Sequence, residues 1–345
     1  PTGRRSKGDY VIDGRDSMGA RSGDLVRAEP LRGRSLGLLQ AKIVERLGGG
    51  QSGGEDAAGP SMIAIAEHDL PTKFSAEAEK QAAQAGPAPA KGRDDLRKIQ
   101  LVTIDGADAR DFDDAVWAEP DRDKLNPGGW HLLVAIADVS WYVRPGDALD
   151  QCAYERANSV YFPDRVVPML PEALSNGWCS LVGKEDRPCL AVDLWIDASG
   201  GLRRHKFRRA IMRSVARLTY EQVQAARDGN PDKITKPLVA TVIEPLYGAF
   251  EALMLGRIRR EVLELDVPER EVVLADDGSV ARFKFLPRLD SHRLIEEFMI
   301  TANVAAAETL ESKRMACMYR VHDQPSREKL EALRDVLDSV GLRFA

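Results

Sequence analysis

No stretch of the 345-residue sequence approaches the run of apolar residues that a membrane-spanning helix requires. The first residues, from Pro1 to Arg5, are not followed by the apolar core of a signal peptide. The four cysteines show no C-x-x-C spacing, which disfavours a zinc site and a disulfide framework. From these absences we expect a cytoplasmic protein without a membrane partner. The initiator methionine is also missing, from which we expect that the chain begins inside a longer protein.

Charge is unevenly distributed along the chain. The net charge of −5 disfavours a nucleic-acid partner, because phosphate is itself negative. Residues 1–50, however, carry ten Lys or Arg against six Asp or Glu, and residues 203–217 carry seven Lys or Arg and no acid. Such patches attract phosphate even in an acidic protein. Composition alone therefore leaves RNA binding open.

The pattern of strands, turns and helices predicts three regions: residues 1–48, 49–98 and 99–345. The first region contains short strands separated by glycines, typical of part of a small OB or cold-shock-like barrel, although an unspecific β-rich fragment has the same pattern. The second is a linker and lead-in segment with a glycine-rich stretch at 48–54. The third combines short apolar strands with long helices, so we expect a mixed α+β fold with one large α/β domain.

Local patterns also predict individual elements. Strands are expected at residues 62–68, 99–104, 132–139 and 190–196, the last turning through Ser199-Gly200-Gly201 into a basic strand. Helices are expected at residues 75–84, with Ser75 as N-cap, and at 219–228, 237–262, 290–314 and 326–340.

An acidic cluster directly follows the predicted strand 99–104. Five aspartates fall within ten residues, namely Asp105, Asp108, Asp111, Asp113 and Asp114. Carboxylates held this close repel one another, so the folded state needs a cation or shared protons. Mg²⁺ is the natural counter-ion, because it prefers oxygen ligands and retains waters or substrate phosphate in its shell. A solvated acidic loop is the alternative, but Phe112 within the cluster favours a folded site.

The segment T-I-D-G-A-D-A-R-D-F-D-D-A at residues 103–115 resembles the signature of the ribonuclease II/ribonuclease R family catalytic domain, called RNB. Further segments are similar to that family and occur in the same order, so that the resemblance covers residues 60–345. They are residues 134–143, 159–163, 167–171, 174–181, 216–220, 295–303 and 319–325. The ribonuclease R branch matches better, mainly through S-V-Y-F-P and L-S-N-G.

The resemblance implies a 3′-to-5′ exoribonuclease that hydrolyses single-stranded and structured RNA processively to nucleoside 5′-monophosphates, in RNA turnover and processing. By the same resemblance Asp105, Asp111, Asp113 and Asp114 are the catalytic residues. Asp105 and Asp114 would hold one or two Mg²⁺ ions with the scissile phosphate, and Asp111 would complete the metal shell. Asp113 would orient or deprotonate the attacking water. The implied partner is single-stranded RNA with a free 3′ end, bound by a monomer.

Five further residues are candidates for RNA binding. The resemblance implies that Tyr161 stacks on nucleotides near the 3′ end and that Glu296 contacts the terminal ribose; a core tyrosine and a surface carboxylate are the alternatives. Arg204, Arg208 and Arg213 of the basic run would contact phosphates, although such a run is usually a solvated face. We expect Asp108 to be a surface residue and Arg110 to be a structural partner of the acidic loop.

Two other functions remain open. A catalytically silent RNA-binding relative would share the fold, although the complete set of aspartates argues against it. An unrelated Mg²⁺ phosphohydrolase acting on small molecules would share the acidic cluster. By resemblance the chain stops inside the catalytic domain, so we expect an incomplete domain that lacks the arginine-containing motif and the C-terminal RNA-binding barrel that follow in the family.

Overall fold

A computed structural model describes residues 9–35, 37–48, 60–264, 267, 269–275 and 279–344. The chain divides into two compact units, Pro1–Ala302 and Asn303–Ala345, with the boundary inside a long helix. In chain order the strands are β1 (Tyr10–Val11), β2 (Leu25–Ser35), β3 (Leu38–Gly48), β4 (Asp94–Asp95), β5 (Val102–Asp105), β6 (Asp114–Pro120), β7 (Trp130–Ala137), β8 (Val160–Tyr161), β9 (Val166–Val167), β10 (Asp186–Ile196), β11 (Leu202–Arg213), β12 (Ala216–Thr219), β13 (Glu269–Leu274) and β14 (Val280–Leu286).

The helices alternate with these strands in the larger unit and form most of the smaller one. They are α1 (Pro60–Glu67), α2 (Ala76–Ala83), α3 (Val139–Tyr142), α4 (Ala148–Arg156), α5 (Tyr220–Arg227), α6 (Glu244–Arg259), α7 (Asp290–Ser312) and α8 (Arg327–Ser339). π-helical turns occupy Ala173–Trp178 and Val239–Ile243. The fold is mixed α/β, as predicted.

The N-terminal strands form a three-stranded sheet in the order β1-β3-β2. The short strands predicted within residues 1–48 are confirmed by β1, β2 and β3. Three strands do not by themselves define a barrel, so the OB or cold-shock-like assignment stays a prediction. The predicted glycine-rich linker at 48–54 lies, apart from Gly48, outside the described residues.

A seven-stranded sheet in the order β12-β5-β6-β7-β10-β11-β4 is the centre of the larger unit. The long neighbours β7, β10 and β11 pair antiparallel, whereas β12 lies parallel to β5 at one edge. One face of the sheet carries a buried apolar cluster that includes Leu133, Ala135 and Ala191. The other face is covered near the start of β7 by α6, where Gly248 allows the helix to approach Trp130 closely. The end of β7 that is distant from Trp130 lies beside the start of β6 at Asp114.

Two sequence predictions about elements were wrong. Residues 62–68, expected as a strand, belong to helix α1; Pro60 suits its first position, and Ser61 and Ile65 are buried one turn apart. The stretch Lys236–Arg259 is also long and apolar enough by composition to cross a membrane, contrary to the expectation that none is. Much of its apolar part is buried inside the protein, and core helices of this kind meet the same criterion.

Candidate active site

The acidic loop joins two neighbouring strands of the large sheet. Strand β5 ends at Asp105, and β6 begins at Asp114. On the other side of β5, the parallel strand β12 places Thr219 opposite Asp105. The aspartates therefore converge where three neighbouring strands at one edge of the sheet meet a tight loop, rather than on a free surface segment.

Phe112 anchors this loop to the protein core. Its side chain is buried and packs within the apolar cluster on the sheet face opposite Asp114, beside Leu101 and Leu181. The Phe112 N–H donates a hydrogen bond to Ser180 Oγ at 2.9 Å, and Ser180 Oγ donates to the Arg110 carbonyl at 3.1 Å. The Leu181 N–H donates to the Phe112 carbonyl at 2.8 Å. The aromatic residue among the acids thus fixes the backbone that carries them.

Arg217 of β12 holds the loop from the other side. Its Nη2 donates to the carbonyls of Ala107 at 2.7 Å and Ala109 at 3.1 Å. Its guanidinium lies 4.8 Å from the centre of the Phe112 ring, within the range of a cation–π contact. The role of Arg110 as a structural partner of the acidic loop stays a prediction. Arg217 is a further partner of this loop and lies more than a hundred residues away in the sequence.

Burial and mutual repulsion shift the pKa values of three aspartates upward. Burial, then the negative charges of Asp113 and Asp111, raise the pKa of Asp105 to about 6, while the cation of Arg217 acts in the opposite direction. Burial, then Asp105 and Asp113, raise the pKa of Asp114 to about 7. Burial and the charge of Asp111 also raise the pKa of Asp113. These carboxylates therefore lie close enough to resist joint ionisation.

The buried oxygens of Asp105 and Asp114 fit a divalent cation. Oδ2 of each is buried and has no hydrogen-bond partner within the described part of the chain. An unpaired buried carboxylate oxygen is costly, and a hard cation would satisfy both. Among the described residues no three His, Cys, Asp or Glu side chains are arranged to hold an ion by themselves. Mg²⁺ suits such an incomplete set, because one or two carboxylates commonly hold it together with waters and a substrate phosphate.

Tyr161 lies beside the acidic loop rather than in the core. Its hydroxyl donates a hydrogen bond to Asp111 Oδ2 at 2.9 Å. The residue is 65% exposed, so its ring is accessible for stacking. Burial, followed by the hydrogen bond to Asp111, raises the pKa of the Tyr161 phenol, which keeps it a donor at neutral pH.

Tyr220 lies near enough to the aspartates and to Glu296 to feel their charges, and sequence reasoning missed it as a site residue. Burial first, then the negative charges of Asp105, Asp114 and Glu296, raise the pKa of Tyr220 to about 12. Its ring stacks on His292 with 4.1 Å between centroids. Glu296 itself is half-exposed and pairs with Arg288 at 2.6 Å. Only the family-like segment 216–220 pointed to Tyr220.

The three candidate arginines do not all face the carboxylates. The pairing of β11 with β10, β7 and β6 places Arg208 on the same face of the sheet as Ala115. Asp114 is the neighbour of Ala115 in β6, so Asp114 lies on the opposite face. Arg204 shares the face of Arg208. Arg208 donates to Asp193 at 2.8 Å, and Arg204 stacks on Trp195 at 3.6 Å. Arg213 shares the face of Asp114 but pairs with Asp186 at 2.7 Å. Phosphate contacts by Arg204 and Arg208 stay a prediction, and they would involve RNA outside the carboxylate face.

Comparisons with known proteins agree with this architecture. The ribonuclease R of Vibrio parahaemolyticus is 42% identical over 352 residues, which cover 100% of this chain and 41% of that protein. The chain therefore spans about two fifths of that relative's length. A ribonuclease R of Mycoplasma genitalium, solved with ribose-methylated single-stranded RNA, superposes with a TM-score of 0.83 at 24% identity, over 96% of this chain and 51% of that one.

A second solved structure shares the fold at greater distance. Yeast Ssd1, described as a pseudonuclease, superposes with a TM-score of 0.64 at 16% identity, over 94% of this chain and 40% of that one. The model of the RNB domain matches residues 93–344, which include the acidic loop, Tyr161, Tyr220 and Glu296. The chain therefore belongs to the family of proteins that carry the RNB domain.

Proposed function

We propose that this chain is part of an exoribonuclease that hydrolyses RNA from its 3′ end and depends on Mg²⁺. The observation that carries the proposal is the pair of buried, unpartnered oxygens on Asp105 and Asp114, within a segment that matches the RNB domain. The ribonuclease R relatives and the RNA-bound solved neighbours support RNA as the substrate. Processive release of nucleoside 5′-monophosphates, action on structured RNA, a monomeric state and a cytoplasmic location belong to the same proposal.

The aspartates divide the chemistry among themselves. Asp105 and Asp114 would hold Mg²⁺, which when bound neutralises charge at the scissile phosphate and makes water more acidic. Asp113 accepts a proton from the attacking water; its raised pKa brings it closer to the value that suits a base at neutral pH. Asp111, fixed by the Tyr161 hydroxyl, completes the acidic set.

The aromatic residues position the RNA strand. The exposed ring of Tyr161 offers a face on which any base stacks, which suits an enzyme that accepts each nucleotide in turn. Tyr220 stays protonated at neutral pH, so it is a neutral hydrogen-bond donor beside the carboxylates. Glu296, near the same phenol, would accept a hydrogen bond from the terminal ribose.

A catalytically silent RNA-binding protein is the second candidate, because a pseudonuclease shares the fold. The two differ in what the acidic loop does. In a silent relative the aspartates would be free to change, whereas here all four are present and three have raised pKa values.

Incubation with 5′-labelled single-stranded RNA, in Mg²⁺ or EDTA, separates these functions. We expect stepwise shortening to a small labelled limit product, which EDTA and Asp113→Asn abolish. Asp108→Asn is the matched control, since Asp108 is an exposed aspartate of the same loop. Intact RNA with this chain and with a form extended to the length of its relatives, together with retained RNA binding, would establish the silent binder instead.

A further inference from the structure

Four residues form a straight row across the carboxylate face of the large sheet. Asp114 of β6 is opposite Ile136 of β7, Ile136 is opposite Leu190 of β10, and Leu190 is opposite Arg209 of β11. Directly opposite residues point their side chains to the same face. With neighbouring strands about 4.8 Å apart, the Arg209 backbone lies about 14 Å from that of Asp114. The row therefore leads from the proposed metal ligand to a cation.

The two middle residues of the row are apolar and accessible. Ile136 is 36% exposed and Leu190 is 41% exposed. On the same strands and the same face, Val134 and Val192 are buried. The sheet is therefore uncovered along the row and covered one step away from it. An exposed apolar floor between two charged ends suits a ligand whose charges are spaced by less polar groups, as phosphates are by sugars in a nucleic-acid strand.

Arg209 is held in place by a buried carboxylate. Its Nη1 donates to both oxygens of Asp138 at 2.8 and 2.7 Å, and its Nη2 donates to Ser140 Oγ at 3.2 Å. A guanidinium has five N–H donors, so these three bonds do not exhaust them. The Asp138 side chain is 2% exposed, whereas that of Arg209 is 50% exposed. The cation is thus fixed from below and accessible from above.

The charge of Arg209 is not cancelled by this arrangement. Asp138 also pairs with Arg93 at 2.8 Å, and both of those side chains are buried. One carboxylate therefore pairs with two guanidinium groups, so the three side chains together have a net positive charge. Of the two arginines, Arg209 is the one exposed to solvent. Arg213 on the same face has an exposed carboxylate partner in Asp186 instead. Among the arginines of residues 203–217, Arg209 is the one that pairs with a buried carboxylate and also lies in the row that leads to Asp114.

We propose that Arg209 is a positioning residue that binds a backbone phosphate of the RNA strand, a few nucleotides upstream of the bond cleaved at Asp114. Ile136 and Leu190 lie beneath the sugars between these two points. The inference rests on the proposed exoribonuclease function and adds a second attachment point to it. A phosphate contact carries no sequence information, which agrees with an enzyme that degrades any sequence.

The binding experiment compares Arg209→Gln with Arg122→Gln, each introduced into the Asp113→Asn protein so that the RNA stays intact. Arg122 also pairs with a carboxylate, Glu119 at 2.8 Å, but it follows the other end of β6. Both changes alter the net charge equally. With a 5′-labelled oligouridylate long enough to fill the row, we expect Arg209→Gln to weaken binding about tenfold. The slope of log affinity against log salt should fall by about 0.7, the value for one phosphate contact on a single strand. Arg122→Gln should change neither quantity.

Substrate length provides the second readout. In the protein that retains Asp113, Arg209→Gln should raise KM for the long oligouridylate and leave kcat nearly unchanged. It should leave hydrolysis of the shortest oligouridylate that the parent still cleaves unchanged, because so short a strand does not reach Arg209. The melting temperature should stay near that of the parent, because Arg93 still neutralises Asp138.

The outcomes separate this inference from the proposed function. If the parent protein cleaves or binds RNA but Arg209→Gln has the same salt slope as the parent, the role of Arg209 is overturned. The proposed exoribonuclease function is not affected by that result. Loss of hydrolysis of the shortest cleavable oligouridylate, or a large drop in melting temperature, shows that Arg209 only supports the fold, and this also overturns its proposed role. Parent protein that neither cleaves nor binds RNA, even when extended to the length of its relatives, refutes the proposed function itself.

Discussion

Replacing Asp114 by asparagine is expected to stabilise the metal-free protein while it abolishes RNA hydrolysis. Burial and the nearby carboxylates raise the pKa of Asp114 from 3.8 to about 7. At ~1.4 kcal/mol per unit, ionising this group in the fold costs about 4 kcal/mol relative to the unfolded chain. Asparagine has nearly the same shape and no charge, so the variant avoids this cost and also relieves Asp105.

The sign of the pH dependence follows from the raised pKa. Below about pH 3, Asp114 is neutral in both the folded and the unfolded state, and the two proteins should have similar stability. As the pH rises toward 7, the unfolded carboxyl ionises while the folded one resists, so the free energy of unfolding of the wild type falls relative to the variant. Above about pH 7 the difference should be complete.

Thermal melting in EDTA measures this effect. At pH 8 the Asp114→Asn protein should melt on the order of 8 °C higher than the wild type, from about 2 °C per kcal/mol. Asp108→Asn, in the same loop, should leave the melting temperature unchanged. Mg²⁺ should raise the melting temperature of the wild type more than that of Asp114→Asn. If the variant melts at or below the wild-type temperature at pH 8 in EDTA, the idea that burial and the neighbouring carboxylates disfavour ionisation of Asp114 is refuted.

Three further predictions concern the supports of the site. Phe112→Ala should lower the free energy of unfolding by about 3–5 kcal/mol in denaturant titrations, because it leaves a cavity under the acidic loop; a loss below 1 kcal/mol would show that the ring is not an anchor. Arg217→Gln removes the cation that lowers the pKa of Asp105, so the acidic limb of the pH–activity profile should move to higher pH; an unmoved limb would contradict the clamp. Tyr161→Phe should keep RNA affinity, whereas Tyr161→Ala should lose about 1–3 kcal/mol of binding in fluorescence titrations, and equal losses would point to the hydrogen bond with Asp111 instead of stacking.

Much of the secondary structure was predictable from local sequence patterns. The helices expected at 219–228, 290–314 and 326–340 are confirmed by α5, α7 and α8, and the N-cap Ser75 accepts a hydrogen bond from the Ala78 N–H as expected. The strand at 190–196 and its turn into the basic strand β11 are confirmed as well. The apolar segment 62–68 failed because a short apolar run fits a strand or a helix equally, and its alanines favour the helix.

The supports of the candidate site were less accessible to such reasoning. Alternation along β11 shows that Arg208 and Arg209 point to opposite faces, but only the pairing of β11 with β10 and β7 shows which face contains Asp114. The contacts of Arg217 with the acidic loop likewise bridge more than a hundred residues. Local sequence carries no signal for such pairings, so the aspartates could be identified while the residues that hold them could not.

The position of β12 also determines when the site takes shape during synthesis. Strand β5 and the acidic loop leave the ribosome before Arg217, which arrives with β12, the last strand of the large sheet in chain order. At about 5–20 residues per second, the interval between Asp105 and Arg217 is on the order of ten seconds. Throughout that time the acidic loop lacks its clamp, and Asp105 lacks the strand that pairs beside it. Assembly of the acidic site is therefore one of the last events in building the large sheet.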